Sequence, residues 1–390
     1  MPARMPDDSM GTMTAASPGT LAPHSIAEVA EAVRVAHRDG TPLRIVGRGG
    51  WLRAGDPVRA SRVLDVSGLR GIVEYVPGDL TLTALAGTPL TDIAAATADH
   101  GQWLPLDPFG DPRGTLGATL ATASAGPLGG SIGLPRDTTV GLSYVTGSGE
   151  VVHGGGRVVK NVAGFDLVRL TIGAWGTLGV ITEATVRLRA RPEADETIAM
   201  TLPDGRDALA ALVASVRIAA VEPLAAELLS PACAARIGLR QHAVMLVRLA
   251  GNATSVHHQR ATLGKLAASE PLPPEVWSFL QQSDPEDGAV LRVSRRPSEL
   301  ARLWMTAMAL PEVDAHATLA RGVVRIRLTS PRTVDGFEAA DHVVVETCPA
   351  AFRDRIAPTQ APAGALSRRL RDAFDPDRIL NRGILGEDDT

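Results

Sequence analysis

Glycine spacing across residues 114–182 is the feature that most restricts how this chain can fold. The segment holds 16 of the 39 glycines of the 390-residue chain, so its backbone has to adopt positive φ angles or approach neighbouring groups closely. Within it, residues 157–182 carry short β-branched runs at both ends, Val158-Val159 and Val180-Ile181. A flexible linker would not carry such apolar runs. The pattern predicts a turn, a helix, a second turn and a strand in succession.

Composition excludes several classes of protein. Hydrophobic residues make up 45% of the chain and charged residues 21%, which is typical of a globular protein with room for two cores. The net charge of −4 gives no attraction to nucleic acid or anionic membranes, so we expect neither as a partner. Cys233 and Cys348 are the only cysteines, and we predict buried free thiols with no metal site or iron–sulfur cluster. The sequence contains no run of ~18 apolar residues that would predict direct membrane insertion. We therefore expect a cytoplasmic protein.

Two further segments have the character of anion-binding loops. The predicted strand Leu43 to Val46 runs into a glycine loop at residues 47–51, and such a loop exposes backbone N–H groups that can surround phosphate oxygens. A plain glycine turn between strands is the alternative. Thr115 is followed by small residues, which predicts a capped helix whose first N–H groups are free for an anion. The two segments are the first and second candidate contacts for a pyrophosphate.

Residues 160–183 carry the strongest resemblance to a known family. They read Lys-Asn-Val-Ala-Gly-Phe-Asp at 160–166, followed by the glycine-spaced run from Gly173 to Glu183. This resembles the FAD-binding domain of the vanillyl-alcohol oxidase and p-cresol methylhydroxylase (PCMH) family, most closely an FAD-binding subunit of bacterial glycolate oxidase. The resemblance implies an α+β fold: a two-subdomain FAD-binding PCMH-type domain, a smaller α+β cap domain, and a C-terminal tail that returns to the FAD domain.

The resemblance and the composition together give four expected regions. Residues 1–19 read as a disordered leader, 20–193 as the FAD-binding domain, 194–363 as the cap and 364–390 as the return element and tail. Strands and helices alternate in the cap, which predicts two layers with an antiparallel sheet. The tail around Asn381 is similar to the closing element of the family, but Arg382 stands where the family has a proline.

The resemblance also implies which residues bind FAD. No His or Cys lies between residues 41 and 60, so we predict a non-covalent flavin. Lys160 and the Arg136-Asp137 pair have an alternative interpretation as solvated ion pairs. The predicted cofactor residues are Gly47, Arg48, Gly49, Gly50, Trp51, Pro105, Asp107, Thr115, Leu116, Gly117, Ala121, Ser124, Gly126, Arg136, Asp137, Lys160, Asn161, Asp166, Gly179, Val180 and Ile181.

No catalytic residue can be assigned from the sequence. The His-x-Gly-Asp-Gly-x-x-His metal motif of the family's D-type subunit is absent, and the adjacent His257 and His258 cannot replace it. The resemblance implies a subunit that acts with a D-type flavin subunit and an iron–sulfur F-type subunit, at the inner membrane face through these partners. Such a complex oxidises glycolate to glyoxylate.

Two alternatives to this function stay open. The chain is a self-sufficient FAD-dependent dehydrogenase of small 2-hydroxy acids, of the D-lactate type, or a structural subunit whose FAD never turns over. A self-sufficient enzyme needs a base for the hydroxyl proton. Its candidates are His100, His242, His316 and His342.

Overall fold

A computed structural model gives the fold of most of the chain. It describes residues 19–155, 166–282, 284–285, 287–330, 334, 336–337, 341–353, 356 and 364–386. Across these residues, no helix combines the length and the apolar character that crossing a lipid bilayer requires.

The first sheet is small and parallel. Its strands are β1 (Thr20–Leu21), β2 (Leu43–Val46) and β3 (Arg62–Asp65), in the order β1-β3-β2, and helix α1 (Ile26–Arg38) connects the first two along the chain. Helix α1 begins at Ile26, because the Ser25 hydroxyl caps it by accepting a hydrogen bond from the Glu28 N–H at 3.2 Å. Its buried face shares a core with the sheet. The glycine loop at residues 47–51 therefore follows a strand that packs in the same core as α1.

The second sheet is antiparallel and has five strands in the order β4-β5-β9-β7-β8. Helices pack on one of its faces and share its core. The elements of this region are β4 (Ile72–Val76), β5 (Thr81–Leu85), α2 (Leu90–Ala98), β6 (Gln102–Trp103), α3 (Leu116–Thr122), α4 (Pro135–Thr138), β7 (Thr139–Val145), β8 (Val151–Gly155), α5 (Leu167–Thr171), β9 (Val180–Arg187) and β10 (Arg189–Ala190).

The third sheet, here called the cap sheet, has eight antiparallel strands. Their order is β14-β11-β13-β12-β16-β17-β15-β18. The elements of this region are β11 (Ala194–Thr201), α6 (Arg206–Ile218), β12 (Ala225–Leu229), α7 (Pro231–Arg236), β13 (Val244–Gly251), α8 (Ala253–Leu263), β14 (Ser269–Leu272), α9 (Glu275–Gln282), β15 (Ala289–Ser294), α10 (Leu300–Met308), β16 (Asp314–Thr318), β17 (Val323–Leu328), β18 (His342–Thr347) and α11 (Ala350–Arg353).

The two faces of the cap sheet differ in character, as strand β12 illustrates. Side chains alternate between the faces of a strand, and Ala226 and Leu228 join the core that α6, α8 and α10 cover. Ala225 and Leu229 join a separate core on the opposite face, under α7 and α9. Helices therefore cover both faces, so the prediction of a two-layer cap is wrong and this region has three layers.

Helices α7 and α9 cover only part of that second face. Beyond them, strands of the cap sheet carry polar side chains that are buried or, for Glu346, half-buried. We call these residues the polar face of the cap sheet: Glu227, His316, Arg325, Arg327 and Glu346.

The C-terminal segment returns to the first sheet, as predicted. After α12 (Ala365–Phe374), Leu380 forms a parallel bridge with Leu43 in β2. Asn381 Oδ1 accepts a hydrogen bond from the Ile45 N–H at 2.8 Å. The Asp375 carboxylate accepts hydrogen bonds from two backbone N–H groups of this segment, at 3.0 and 2.9 Å. The chain therefore has the predicted α+β fold with a returning tail.

Candidate functional site

The loop that follows β2 contains three glycines and lies against the start of α3. A Cβ atom on Gly47 would lie 2.9 Å from the Thr115 Oγ1 atom. Gly49 has a φ angle of +82°, which glycine adopts readily. The backbone N–H groups of Arg48, Gly49 and Gly50 donate no hydrogen bond to any residue that the structure describes. Three consecutive N–H groups of this kind are suited to binding phosphate oxygens.

The first backbone N–H groups of α3 are all used within the protein. Leu116 donates to the Thr88 carbonyl at 2.9 Å, and Gly117 donates to the Ala86 carbonyl at 2.7 Å. The next N–H group donates to the Thr115 hydroxyl oxygen at 3.3 Å. The expectation of free N–H groups at this helix start is therefore wrong. Gly117 is needed for packing instead, since a Cβ atom there would lie 2.6 Å from the Ala86 Cβ atom.

The segment at residues 173–176 connects the end of α3 with the glycine loop. The Trp175 N–H donates to the Ala121 carbonyl at 2.8 Å. The rings of Trp175 and Trp51 meet edge to face with centroids 6.0 Å apart. Asn381 Nδ2 donates to the Trp175 carbonyl at 2.7 Å. The predicted residues Trp51 and Ala121 are therefore joined through Trp175.

Gly179, Val180 and Ile181 lie at the seam between the first two sheets. A Cβ atom on Gly179 would lie 2.5 Å from the Tyr144 ring, so a larger residue would force this seam apart. Val180 packs in the core of the first sheet, whereas Ile181 packs in the core of the second. Strand β5 pairs with β9 only from Glu183 onward, so these residues lie beyond the end of that ladder.

Asp107 organises the backbone of the loop that follows α3. Its carboxylate accepts hydrogen bonds from the N–H groups of Gly126 at 3.1 Å and Leu128 at 2.8 Å. Burial raises the pKa of Asp107 to about 7, although these two hydrogen bonds act in the opposite direction. Ser124 Oγ accepts a hydrogen bond from the Phe109 N–H at 3.2 Å. Asp107, Ser124 and Gly126 therefore shape this loop.

The remaining predicted cofactor residues lie at short helices or outside the described residues. Asp166 caps α5 by accepting a hydrogen bond from the Arg169 N–H at 3.0 Å. The Arg169 side chain lies 3.8 Å from the Asp137 carboxylate, and both side chains are exposed. Of the others, Arg136 is exposed, Pro105 is buried, and Lys160 and Asn161 lie outside the described residues.

The polar face of the cap sheet meets the loops at residues 107–110 and 125–131. The ring centroids of Phe109 and His316 are 5.4 Å apart. The Arg325 guanidinium lies 3.8 Å from the Phe109 ring centroid. Ser131 Oγ donates to the Leu224 carbonyl at 2.5 Å. The polar face therefore lies at the boundary between the cap and the amino-terminal part of the chain.

Glu227 and His316 form a fully buried pair on this polar face. His316 Nδ1 and Glu227 Oε2 are 2.7 Å apart. Burial raises the pKa of Glu227 to about 8 and holds the pKa of His316 well below its usual range, with the charges of Arg327 and Arg325 acting in the same direction on His316. Burial thus favours the uncharged form of both groups, and a protonated Glu227 would donate to Nδ1 and leave the ring hydrogen on Nε2.

The two arginines of β17 are neutralised by carboxylates. Arg325 contacts Asp284 at 2.6 Å and Glu346 at 2.5 Å. Arg327 contacts Asp284 at 3.0 Å. These arginines hold the pKa of Asp284 near 2 against the effect of its burial. The network therefore keeps the charged part of the polar face in fixed ion pairs.

The amino-terminal part of the chain matches a known family. Residues 18–155 match the family described as FAD binding domain. This part of the chain is similar to an FAD-binding domain. FAD is thus its cofactor, and the geometry around the glycine loop belongs to that domain.

Curated relatives match this chain over less than half of their own length. Glycolate oxidase subunit GlcE of Escherichia coli (strain K12) is 43% identical over 166 residues, which are 42% of this chain and 47% of that protein. Glycolate oxidase subunit GlcD of Bacillus subtilis (strain 168) is 32% identical over 210 residues, which are 54% of this chain and 44% of that protein. A mitochondrial D-lactate dehydrogenase [cytochrome] of Arabidopsis thaliana is 32% identical over 165 residues, covering 41% of this chain and 29% of that protein.

A solved structure of alkyldihydroxyacetonephosphate synthase shares the fold of nearly the whole chain. The match covers 93% of this chain and 75% of that one, with a TM-score of 0.66 and 20% sequence identity. It extends from the FAD-binding domain through the cap sheet. At this identity the likeness establishes the PCMH-type fold alone.

Four histidines were candidate bases. Of these, His316 is the one that the fold buries against the FAD-binding domain. Its partner Glu227 was not predicted. Glu227 is the lone acidic residue of an otherwise apolar strand, and that is the signal that could have found it. The other histidines lie elsewhere: His100 packs edge to face on Tyr75, His242 is half-buried, His342 is exposed, and His257 and His258 are exposed on α8.

Cys233 and Cys348 are free and buried, as predicted. Burial raises the pKa of the Cys233 thiol to about 11, so it is not a reactive thiolate. Within the described residues, no group of three or more His, Cys, Asp or Glu side chains is arranged to hold a metal ion.

Proposed function

We propose that the chain is the FAD-binding subunit of a complex that oxidises glycolate, or a similar small 2-hydroxy acid, to the 2-oxo acid. The observation that carries this proposal is the 43% identity over 166 residues to glycolate oxidase subunit GlcE. A second relative is named as a subunit of glycolate oxidase, and a third as a D-lactate dehydrogenase. All three names specify oxidation of a 2-hydroxy acid.

The glycine loop supports a role in holding the diphosphate of FAD. The N–H groups of Arg48, Gly49 and Gly50 donate to no described residue, and the Thr115 hydroxyl borders the loop because Gly47 lacks a Cβ atom. Since the first N–H groups of α3 are used internally, we assign Thr115, Leu116 and Gly117 to shaping the loop's surroundings. The backbone at Gly179–Ile181 and the side chain of Trp51 remain proposed contacts.

The length of α3 supports a position for the flavin ring. Its seven residues span about 10 Å at the usual rise per residue. The helix leads from Thr115 beside the glycine loop to the loop around Ser124 and Gly126, which Asp107 holds. A cofactor extended along α3 would bring its ring to this loop, under the polar face of the cap sheet. FAD, when bound there, supplies the two-electron acceptor that oxidation of a 2-hydroxy acid requires.

The proposed partners are a D-type flavin subunit and an iron–sulfur F-type subunit. The two cysteines of this chain are both buried, Cys233 in α7 and Cys348 just after β18, whereas an ordinary cluster takes four thiolates. Electrons that travel through a cluster would therefore need ligands from another chain. We place the complex in the cytoplasm, at the inner membrane face through its partners.

A self-sufficient 2-hydroxy-acid dehydrogenase is the second candidate. The observation that favours it is the buried pair of Glu227 and His316, which lies opposite the proposed flavin loop and includes a histidine with an unpartnered ring nitrogen. A third candidate is a structural subunit whose FAD does not turn over. Flavin reduction distinguishes all three.

The first experiment is purification of the chain alone, followed by absorption spectroscopy and acid precipitation. FAD in the supernatant would support a non-covalent flavin, whereas colour in the pellet would contradict it. Glycolate is then added without oxygen, with and without the D-type and F-type subunits. Bleaching in the isolated chain supports the self-sufficient enzyme, and bleaching of this chain's flavin only with partners supports the complex. If the complex turns over but the flavin of this chain is not bleached, the result supports the structural role.

A further inference from the structure

Arg321 stands out among the arginines near the polar face because it lacks a carboxylate partner. It lies in the turn between β16 and β17, is half-buried, and forms no ion pair with any described residue. Its Nη1 atom lies 3.5 Å from the Ala125 carbonyl oxygen, which is a long contact. Neighbouring Arg325 and Arg327 are both held by carboxylates. A desolvated guanidinium without such a partner retains the capacity to bind an anion.

Arg321 points its guanidinium at the loop that follows α3. A Cβ atom on Gly129 would lie 3.0 Å from Arg321 Nη1, so the absence of a side chain at Gly129 makes room for the charge. The charge of Arg321 also lowers the pKa of Glu227 and of Asp107. Phe109, which packs on His316, donates its N–H to Ser124 Oγ in the same loop, so the guanidinium and the buried pair both border this loop.

The buried pair contributes polar atoms that the protein does not satisfy. Glu227 Oε1 and His316 Nε2 are buried and have no hydrogen-bond partner among the described residues. Leaving a buried polar atom unpaired costs free energy, and such atoms in a folded protein call for a bound water or ligand. His316 Nε2 carries a hydrogen when Glu227 is protonated, so it is a donor to an oxygen atom.

We propose that Arg321 and His316 form a binding site for a small carboxylate with a hydroxyl group, between the loop at residues 125–130 and the polar face of the cap sheet. Arg321 binds the carboxylate and His316 Nε2 contacts the hydroxyl oxygen. This deepens the proposed function and rests on it for the hydroxy-acid substrate. The anion-binding part depends only on the unpaired guanidinium and the buried pair.

Titration with oxalate tests the site without turnover, because oxalate has two carbons and no hydrogen that can be oxidised. Calorimetry on the purified FAD-containing chain is expected to show binding to the wild type. Arg321→Gln should weaken that binding by about tenfold or more, because a charge-assisted hydrogen bond is lost. Arg321→Lys should weaken it less. Arg240→Gln, a change at an exposed arginine of the same region, should leave it unchanged.

Two results would overturn the site: no oxalate binding by the wild type, or equal binding by Arg321→Gln and the wild type. Thermal unfolding confirms that each variant is folded, and Arg321→Lys carries the test if Arg321→Gln is not. If glycolate bleaches the flavin but Arg321→Gln binds oxalate as well as the wild type does, the proposed function is supported and the proposed anion site is contradicted. If Arg321→Gln no longer binds oxalate but glycolate bleaches no flavin under any condition, the anion site is supported and the proposed function is contradicted.

The pH dependence of oxalate binding tests the role of the buried pair. Ionisation of Glu227 adds a negative charge beside the anion, so wild-type affinity should fall as pH rises through about 8. Asp107 faces the same place from the loop before α3, and Arg325 and Arg327 face it from β17, as does Arg236 from α7. Glu227→Gln removes only the Glu227 charge and should flatten the fall. If the oxalate affinity of Glu227→Gln falls with pH as much as that of the wild type, the buried pair does not contribute to binding.

Discussion

Asn381 donates a hydrogen bond from its Nδ2 atom to the Trp175 carbonyl at 2.7 Å, while its Oδ1 atom accepts one from the Ile45 N–H at 2.8 Å. One side chain thus joins the returning tail to the strand before the glycine loop and to the segment that packs against that loop. Asn381 has a positive φ of 44°, which asparagine tolerates better than most residues. We expect this position to couple the tail to FAD binding.

Asn381→Ala should therefore lower both stability and FAD content. Both hydrogen bonds are lost and two backbone groups lose their partners, so we expect the free energy of unfolding to fall by about 1–3 kcal/mol. Urea denaturation and the flavin-to-protein absorbance ratio measure the two effects. Asn381→Asp keeps the acceptor for Ile45 and should lose less. Full flavin content in Asn381→Ala would contradict the coupling.

Gly49→Asp should abolish FAD retention. It adds a negative charge next to the N–H groups proposed for the diphosphate, and it strains a backbone with a φ of +82°. Gly40→Asp is the matched control, since Gly40 has a φ of +61° and open space around it, away from the glycine loop. The flavin content of both purified variants decides the outcome. Equal loss in both would assign the effect to strain rather than to the loop.

Gly117→Ala should reduce stability through packing. The added Cβ atom would lie 2.6 Å from the Ala86 Cβ atom and 3.0 Å from its carbonyl oxygen, and overpacking of this kind costs about 1–3 kcal/mol. Gly78→Ala adds the same methyl group where nothing lies within 4 Å and should change little. Denaturation of the FAD-free proteins separates this effect from cofactor binding. Similar stability of the two variants would contradict the packing role.

Glu227 should make the folded protein less stable as pH rises. Its pKa is raised from 4.5 to about 8 in the folded state, so its contribution is fully present below pH 4.5 and is lost as pH rises through about 8. Asp107 acts with the same sign, because its pKa is raised to about 7. Urea denaturation across this pH range should show a smaller decline in Glu227→Gln than in the wild type. An equal decline would show that Glu227 does not titrate as described.

The local signals in the sequence predicted the amino-terminal part well. Strand β2 has the predicted bounds and Thr115 caps α3 as expected, because β-branched runs and capping act over a few residues. The error at α3 has a different origin. Its N–H groups bind the carbonyls of Thr88 and Ala86, which lie about thirty residues earlier in the chain, and no local pattern reveals such partners.

The polar face of the cap sheet was beyond local prediction for a similar reason. The run Val323–Leu328 reads as a strand with arginines at alternate positions, which usually indicates a solvated face. Arg325 and Arg327 are instead buried, because Asp284 and Glu346 come from other elements to pair with them. Only the assembled sheet brings Glu227 to His316.

The hydrogen bonds of the tail impose an order of events on synthesis. Strand β2 and its glycine loop leave the ribosome early, but the backbone of β2 gains its partners Leu380 and Asn381 more than three hundred residues later. Until residues 379–381 have been made, the hydrogen bonds of Asn381 do not join the segment around Trp175 to β2. We therefore expect FAD to be retained only after the tail has been made, so a chain whose synthesis stops inside the cap should not keep its flavin.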